Sequence, residues 1–83
     1  MFEVVFDKAV TANMTKMEKK LVVRIFKKIE SAKQNPMQYF FRLTGRTDYR
    51  MRVGDWRVIA DIDYKNRRIM VTNVGHRKKI YET

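Results

Sequence analysis

Three arginines, Arg50, Arg52 and Arg57, lie close together in a segment that alternates polar and apolar side chains. Residues 49–61 predict two strands joined at Gly54-Asp55, a dipeptide typical of a two-residue hairpin loop. Arg52 then lies opposite Arg57, and since strand side chains alternate with period two, the three arginines share one face. Like charges directly opposite each other destabilise a sheet. This cluster therefore predicts a polyanionic ligand.

The other face of the predicted hairpin is apolar, and a third strand continues it. The apolar positions are Met51, Val53, Trp56, Val58, Ala60 and Ile62. Strands are expected at about residues 48–53, 57–63 and 68–74, with the second turn near Lys65-Asn66. That turn places Ile62 opposite Ile69, Ala60 opposite Val71 and Asp63 opposite Arg68, so the register is favourable on both faces.

The residues before the hairpin predict one strand and two helices. Phe2, Val4 and Phe6 alternate as in a strand, and Asp7 can cap a weakly helical stretch up to Lys16. A second helix is expected after residues 15–18, which have capping-box spacing, and before Asn35-Pro36. Its apolar stripe comprises Leu21, Val22, Ile25, Phe26, Ile29 and Ala32. Residues 37–48 are expected to form an irregular connection with Leu43 packed inside.

These elements predict an α+β fold in one domain spanning residues 1–83. An N-terminal strand and a two-helix hairpin precede an antiparallel three- to four-stranded meander sheet. The helices are expected to cover one face of the sheet. The opposite face, with its arginines, is then exposed to solvent or ligand.

The net charge of +10 and a pI near 10.2 favour a nucleic acid, an acidic protein or an anionic surface as partner. The second helix adds a basic face: Lys19, Lys20, Arg24, Lys27, Lys28 and Lys33. That face is either a second anion-contacting surface or a solvated helix face.

Composition excludes several kinds of chemistry. The absence of cysteine excludes disulfides, thiol nucleophiles and cysteine-ligated zinc, and the single histidine excludes a histidine-rich metal site. We predict no cofactor and no metal. The N-terminus lacks the features of a signal peptide and no run approaches transmembrane length, so a cytoplasmic location and no membrane contact are expected.

Two segments of this chain resemble the RelE/ParE superfamily of bacterial and archaeal toxins. Residues 49–59 are similar to that family's central hairpin. Residues 74–81 are similar to its C-terminal signature of a glycine, a basic pair and a tyrosine. The resemblance implies the toxin of a type II toxin–antitoxin pair, with a cognate antitoxin as partner. RelE-like members cut messenger RNA in the ribosomal A site.

The resemblance also implies a set of site residues. Arg50 and Arg52 match the family's two hairpin cations, which are lysines in the best-known RelE members, and Arg57 matches the arginine of the next strand. Arg77 and Tyr81 match the C-terminal arginine and tyrosine, and His76 lies where members vary between lysine and histidine.

Metal-free cleavage would use the ribose 2′-hydroxyl as nucleophile on the adjacent phosphate, and guanidinium groups would stabilise the charge that develops there. Arginine is a poor base, because its pKa exceeds about 12. Proton transfer is therefore left between His76 and Tyr81.

Two other functions remain open. ParE-like members of the superfamily inhibit DNA gyrase and lack the RNA-cutting residues. The arginines that replace the hairpin lysines are also compatible with a catalytically weak, basic nucleic-acid-binding module.

Overall fold

The computed structural model describes residues 1–42 and 45–80. Its helices are α1 (Lys8–Met14) and α2 (Lys19–Ala32), followed by a short 3₁₀ helix (Pro36–Gln38). Its strands are β1 (Glu3–Phe6), β2 (Phe41–Arg42), β3 (Tyr49–Val53), β4 (Trp56–Asp63) and β5 (Arg68–His76). Within the described ranges, neither helix is long and apolar enough to span a bilayer.

The strands form one mixed sheet in the order β1-β5-β4-β3-β2. The α+β class is confirmed, but the sheet has five strands and is not a pure antiparallel meander. The N-terminal strand β1 pairs in parallel with β5, while the other neighbours are antiparallel. The two-residue strand β2 lies in the expected irregular connection, where it is too short to show an alternating pattern.

The predicted strand register is confirmed at both turns. Arg52 lies opposite Arg57 and Val53 opposite Trp56, while Asp63 lies opposite Arg68 and Ile62 opposite Ile69. Gly54 has a φ of 60° and takes the first central position of its turn. Only this position requires a positive φ in a type II′ turn, which suits glycine. A register shift at residues 59–60 marks a bulge between β4 and β5.

The helix ends are partly as expected. Asp7 caps α1, since its side chain accepts a hydrogen bond from the Ala9 amide at 2.9 Å. The predicted capping box is wrong: Thr15 Oγ1 donates to the Ala12 carbonyl at 2.7 Å, and Glu18 caps α2 without a side-chain bond. Thr15 therefore closes α1, as serine and threonine commonly do by bonding a nearby carbonyl.

The core lies between the helices and the apolar face of the sheet. Its buried side chains are Val10, Met14, Ile25, Ile29, Ala32, Phe40, Met51, Val53, Val58, Ala60, Ile69, Val71 and Val74. Phe26, expected on the buried stripe of α2, is 46% exposed instead. It lies at the margin of the stripe, where it contacts Phe6 edge-on at 5.4 Å. The expected packing of Leu43 lies outside the described residues.

Candidate functional site

Strand β3 presents two arginines on the face of the sheet away from the helices. Arg50 and Arg52 are two residues apart, so their Cα atoms are separated by about 6.5–7 Å along the strand. Together with Phe41 they line a recess of about 270 Å³. Phe41 lies on the same face because it is the β2 partner of Arg50, and its side chain is 57% exposed. We call this surface, Phe41 with Arg50 and Arg52, the arginine face.

Arg50 is partly prepared to bind an anion. Its Nε is buried and has no hydrogen-bond partner within residues 1–42 and 45–80. A buried donor without a partner costs about 1–3 kcal/mol. The charge of this guanidinium, together with that of Arg52, favours an anionic ligand in the recess, such as a phosphate or carboxylate.

Arg57 differs from the other two arginines although it shares their face. Its side chain was expected to be exposed, but it is only 8% exposed. Its Nη1 donates to the carbonyls of Gly54 and Trp56, each at 2.8 Å. These bonds tie one terminal nitrogen of the guanidinium to the turn of its own hairpin. Arg57 thus adds positive charge beside Arg52 and holds the turn, while Arg50 and Arg52 line the recess.

The C-terminal segment folds back onto the same hairpin. The Arg77 amide donates to the Asp55 carbonyl at 2.8 Å, and Arg77 Nε lies 3.6 Å from Asp55 Oδ1. Gly75 is the cross-strand partner of Arg57. Ile80 packs so closely over Gly75 that a Cβ there would lie 3.3 Å from it. The segment therefore returns over the side of the sheet that carries the arginines, and it keeps Arg77 at the hairpin loop.

His76 is not brought to the arginine face. It is the cross-strand partner of Trp56, so the two side chains share the helix-covered face, where their rings meet edge-on at 5.6 Å. Its Nδ1 accepts a hydrogen bond from the Lys78 amide at 3.2 Å. Tyr81 lies outside the described residues, and its predicted role stays a prediction.

Two groups with a shifted pKa lie at the far end of β4. The pKa of Asp63 is lowered, chiefly because its carboxylate accepts hydrogen bonds from the Asn66 side chain and amide. The pKa of Tyr64 is raised, chiefly because the phenol is partly buried. Both groups belong to the β4–β5 turn, at the end of β4 opposite to Gly54.

One site residue escaped the sequence analysis. Phe41 was grouped with aromatic residues that anchor a connection, and an aromatic cluster is more often core than a binding platform. Its neighbour Phe40 is fully buried, as that expectation requires. Phe41 follows it in a strand, where consecutive side chains point to opposite faces. Only the pairing of β2 with β3 reveals which of the two points outward.

The sequence of residues 4–81 matches the family described as ParE toxin of type II toxin-antitoxin system, parDE. The chain belongs to this toxin family. It is therefore a toxin of the RelE/ParE superfamily, as the resemblance implied. No curated protein sequence matches it.

Solved structures of RelE toxins share its fold. The RelE–RelB complex of Pyrococcus horikoshii matches with a TM-score of 0.81 and 22% identity, covering 94% of this chain and 97% of that one. The intact RelBE complex of E. coli matches with a TM-score of 0.79 and 16% identity, covering 92% of this chain and 96% of that one. The RelB–RelE complex of Methanococcus jannaschii matches with a TM-score of 0.72 and 23% identity, covering 93% of this chain and 94% of that one. At these identities the likeness shows a common fold.

Proposed function

We propose that this toxin is a ribosome-dependent, metal-free endoribonuclease that cleaves messenger RNA in the ribosomal A site. One observation carries the proposal: Arg50 and Arg52 border an open recess beside the exposed ring of Phe41. Guanidinium groups bind phosphate oxygens in a planar fork and stay charged. An exposed aromatic ring can stack on an unpaired base. A single-stranded RNA presents both phosphates and unpaired bases.

In the proposed reaction the 2′-oxygen attacks phosphorus and the bond from phosphorus to the 5′-oxygen breaks. A base takes the proton from the 2′-hydroxyl, and an acid gives a proton to the leaving 5′-oxygen. The products are a 2′,3′-cyclic phosphate and a 5′-hydroxyl. Arg50 and Arg52 stabilise the charge on the nonbridging oxygens, with Arg77 as a further contact from the hairpin loop.

Proton transfer is assigned to Tyr81 in this proposal, because His76 lies on the other face of the sheet. Arg57 acts beside Arg52 through its charge and through the turn that it holds. A cognate antitoxin is the expected protein partner, as in the RelB complexes of the structural neighbours. A chain of net charge +10 attracts an acidic partner at an increased rate. The proposed target places the toxin in the cytoplasm.

The test is single-turnover cleavage of a translated message at saturating ribosome complex, with cut sites mapped by primer extension. The double variant Arg50→Ala/Arg52→Ala should lose at least about 10²-fold in rate, since one donor to a developing oxyanion is worth about 10²–10³. Arg68→Ala is the matched control, because Arg68 is an exposed strand arginine that pairs with Glu3. An unchanged rate in the double variant would contradict the assignment.

A second candidate is inhibition of DNA gyrase without catalysis. The match of residues 4–81 to the ParE toxin family favours it, as does the engagement of Arg57 with backbone carbonyls. A supercoiling assay with purified gyrase separates the two functions. Intact messages together with inhibited supercoiling would establish the second and exclude the first.

A further inference from the structure

Helix α2 has two unlike flanks beside its buried stripe. One flank, with Val22 and Phe26, meets α1 at an apolar groove. The other flank meets the tip of the β3–β4 hairpin in a groove of about 350 Å³. The residues that line this second groove are Arg24, Lys27, Lys28, Ser31, Val53 and Gly54. We call it the α2–hairpin groove. It contains three cations and no carboxylate.

Two of the cations are positioned by the hairpin. Lys28 Nζ donates to the Arg52 carbonyl, at a point of β3 that β2 does not reach, since β2 pairs only with residues 49 and 50. The Arg24 guanidinium lies against Gly54, 3.2 Å from the place that a Cβ would occupy. The absence of a side chain at Gly54 thus lets Arg24 approach the backbone.

The cations of the groove form no ion pair within the described part of the chain, although Arg24 also lines a neighbouring recess with Glu18 and Asp55. Ion pairs in that part of the chain involve Lys33, Arg46, Arg68 and Arg77, and none involves Arg24, Lys27 or Lys28. Arg24 stands three and four residues before the two lysines, so the cations are neighbours on the helix surface and repel each other. An anionic ligand would turn this repulsion into binding energy.

We propose that the α2–hairpin groove binds the phosphodiester backbone of a nucleic acid strand, as a site separate from the arginine face. The lining offers cations and a hydroxyl but no exposed aromatic side chain. Protein–protein interfaces are built around apolar and aromatic cores, whereas nucleic-acid interfaces are polar and strongly positive. A phosphate backbone therefore fits this groove better than an acidic peptide does.

Arg52 connects the groove to the arginine face. Its side chain belongs to the arginine face, and its carbonyl is bound by Lys28 from the groove. A strand that passes the open edge of β3 would contact both surfaces. Binding at the groove does not require cleavage, so this proposal stands even if the gyrase function is the correct one.

The test measures binding of fluorescein-labelled 12-nucleotide oligo(U) by anisotropy between 50 and 300 mM KCl, with single-stranded DNA of matching length as a second probe. The variant is Arg24→Gln/Lys27→Gln, which spares Lys28 because Lys28 also anchors the helix to β3. Both substituted side chains are exposed, so the fold should persist, which thermal melting verifies.

The groove variant should bind RNA at least about 10-fold more weakly at 150 mM salt, and its salt slope should fall by about 1.4, because each lost single-strand phosphate contact removes about 0.7. Lys8→Gln/Lys65→Gln removes the same charge at exposed positions outside the groove. This control should lose less than about 3-fold, the scale of a general loss of attraction. The variant Arg50→Ala/Arg52→Ala leaves the groove side chains in place. The salt dependence of its oligo(U) binding should therefore retain the part that the groove contacts contribute.

Losses with both RNA and DNA support a backbone site, and a loss with RNA alone supports it and identifies the strand as RNA. Equal losses in the groove variant and the control would overturn the proposal. So would a groove variant that keeps oligo(U) affinity but loses affinity for a labelled oligoglutamate, because the groove would then bind an acidic peptide. Cleavage by the wild type plays no part in these outcomes, so failure here is distinct from failure of the proposed nuclease function.

Discussion

Strand β4 lies between two turns that are stabilised in different ways. The first, Gly54-Asp55, is bonded by Arg57 of β4 and by the amide of Arg77, which comes after β5. The second, residues 64–67, is closed locally by two hydrogen bonds between Asp63 and Asn66. The first turn adjoins both the arginine face and the α2–hairpin groove. The second carries neither surface.

The difference shows what a buried charge can do in a small protein. Arg57 donates to two carbonyls of the turn, and it fixes the hairpin that orients Arg52 and Gly54. A substitution at the first turn should therefore affect stability and both binding surfaces. One at the second turn should remain local.

The largest effect is expected from Arg57→Ala. The change leaves the Gly54 and Trp56 carbonyls without their donor and opens space beside them. The free energy of unfolding should fall by about 3 kcal/mol, in line with the loss of a buried, charged hydrogen-bonding group. Urea denaturation provides the measurement. Arg57→Lys keeps the charge but cannot reproduce both bonds, so its free energy of unfolding should lie between those of the wild type and Arg57→Ala. A loss below about 1 kcal/mol in Arg57→Ala would contradict the structural role.

Gly54→Ala should have the next largest effect. Gly54 has a φ of 60°, and a methyl group there would meet Arg24 at 3.2 Å. We expect a loss of about 1–2 kcal/mol from the left-handed backbone alone, together with weaker oligo(U) binding as Arg24 is displaced.

The matched change at the second turn is Arg67→Gly, because Arg67 also has a positive φ, of 52°. Glycine relieves that strain but increases the entropy of the unfolded chain, so the two effects should nearly cancel, within about 0.5 kcal/mol. Thermal and urea unfolding of both variants test the pair. Equal losses at Gly54 and Arg67 would remove the contrast between the turns.

Asp55→Ala should have a small effect on stability. Its ion pair with Arg77 is exposed and 3.6 Å long, and the backbone bond between these residues does not need the carboxylate. Exposed pairs contribute up to about 1 kcal/mol, and we expect less than about 0.5 here. Urea denaturation at low and high salt tests this, since a larger loss that high salt abolishes would show that the carboxylate anchors the C-terminal segment.

The smallest effect concerns pH at the second turn. The folded pKa of Asp63 lies below the ordinary value of 3.8 because Asn66 donates to the carboxylate. Its stabilisation is therefore complete above the unfolded pKa and is lost as pH falls through the folded pKa. Melting temperatures of the wild type and Asp63→Asn should differ more at pH 6 than at pH 2. A difference that is constant across this range would mean that Asp63 does not stabilise the turn as a carboxylate.

Local patterns were sufficient to predict the hairpins and one helix cap. Turn positions and period-two alternation fixed the pairing of Arg52 with Arg57 and of Asp63 with Arg68. The position of Asp7 before α1 was equally clear. The capping box at Thr15 failed because Thr15 closes α1 before Glu18 opens α2, and its sequence spacing does not distinguish these roles.

Contacts between distant segments could not be predicted in this way. Strand β1 pairs with β5 at the other end of the chain, and β2 is too short to be recognised. Its pairing places Phe41 on the arginine face. The expected grouping of His76 with the arginines followed from their order in the sequence, whereas the register places His76 opposite Trp56 on the other face.

The sequence by itself determined that Arg50, Arg52 and Arg57 share one face of a sheet, because alternation and a two-residue turn are local properties of the chain. It also determined the excess of positive charge and the family. Only the tertiary structure decided which arginines remain available to a ligand. Arg57 is buried because the turn carbonyls lie within its reach and the C-terminal segment packs over Gly75 beside it. Arg52, the cross-strand partner of Arg57, stays exposed.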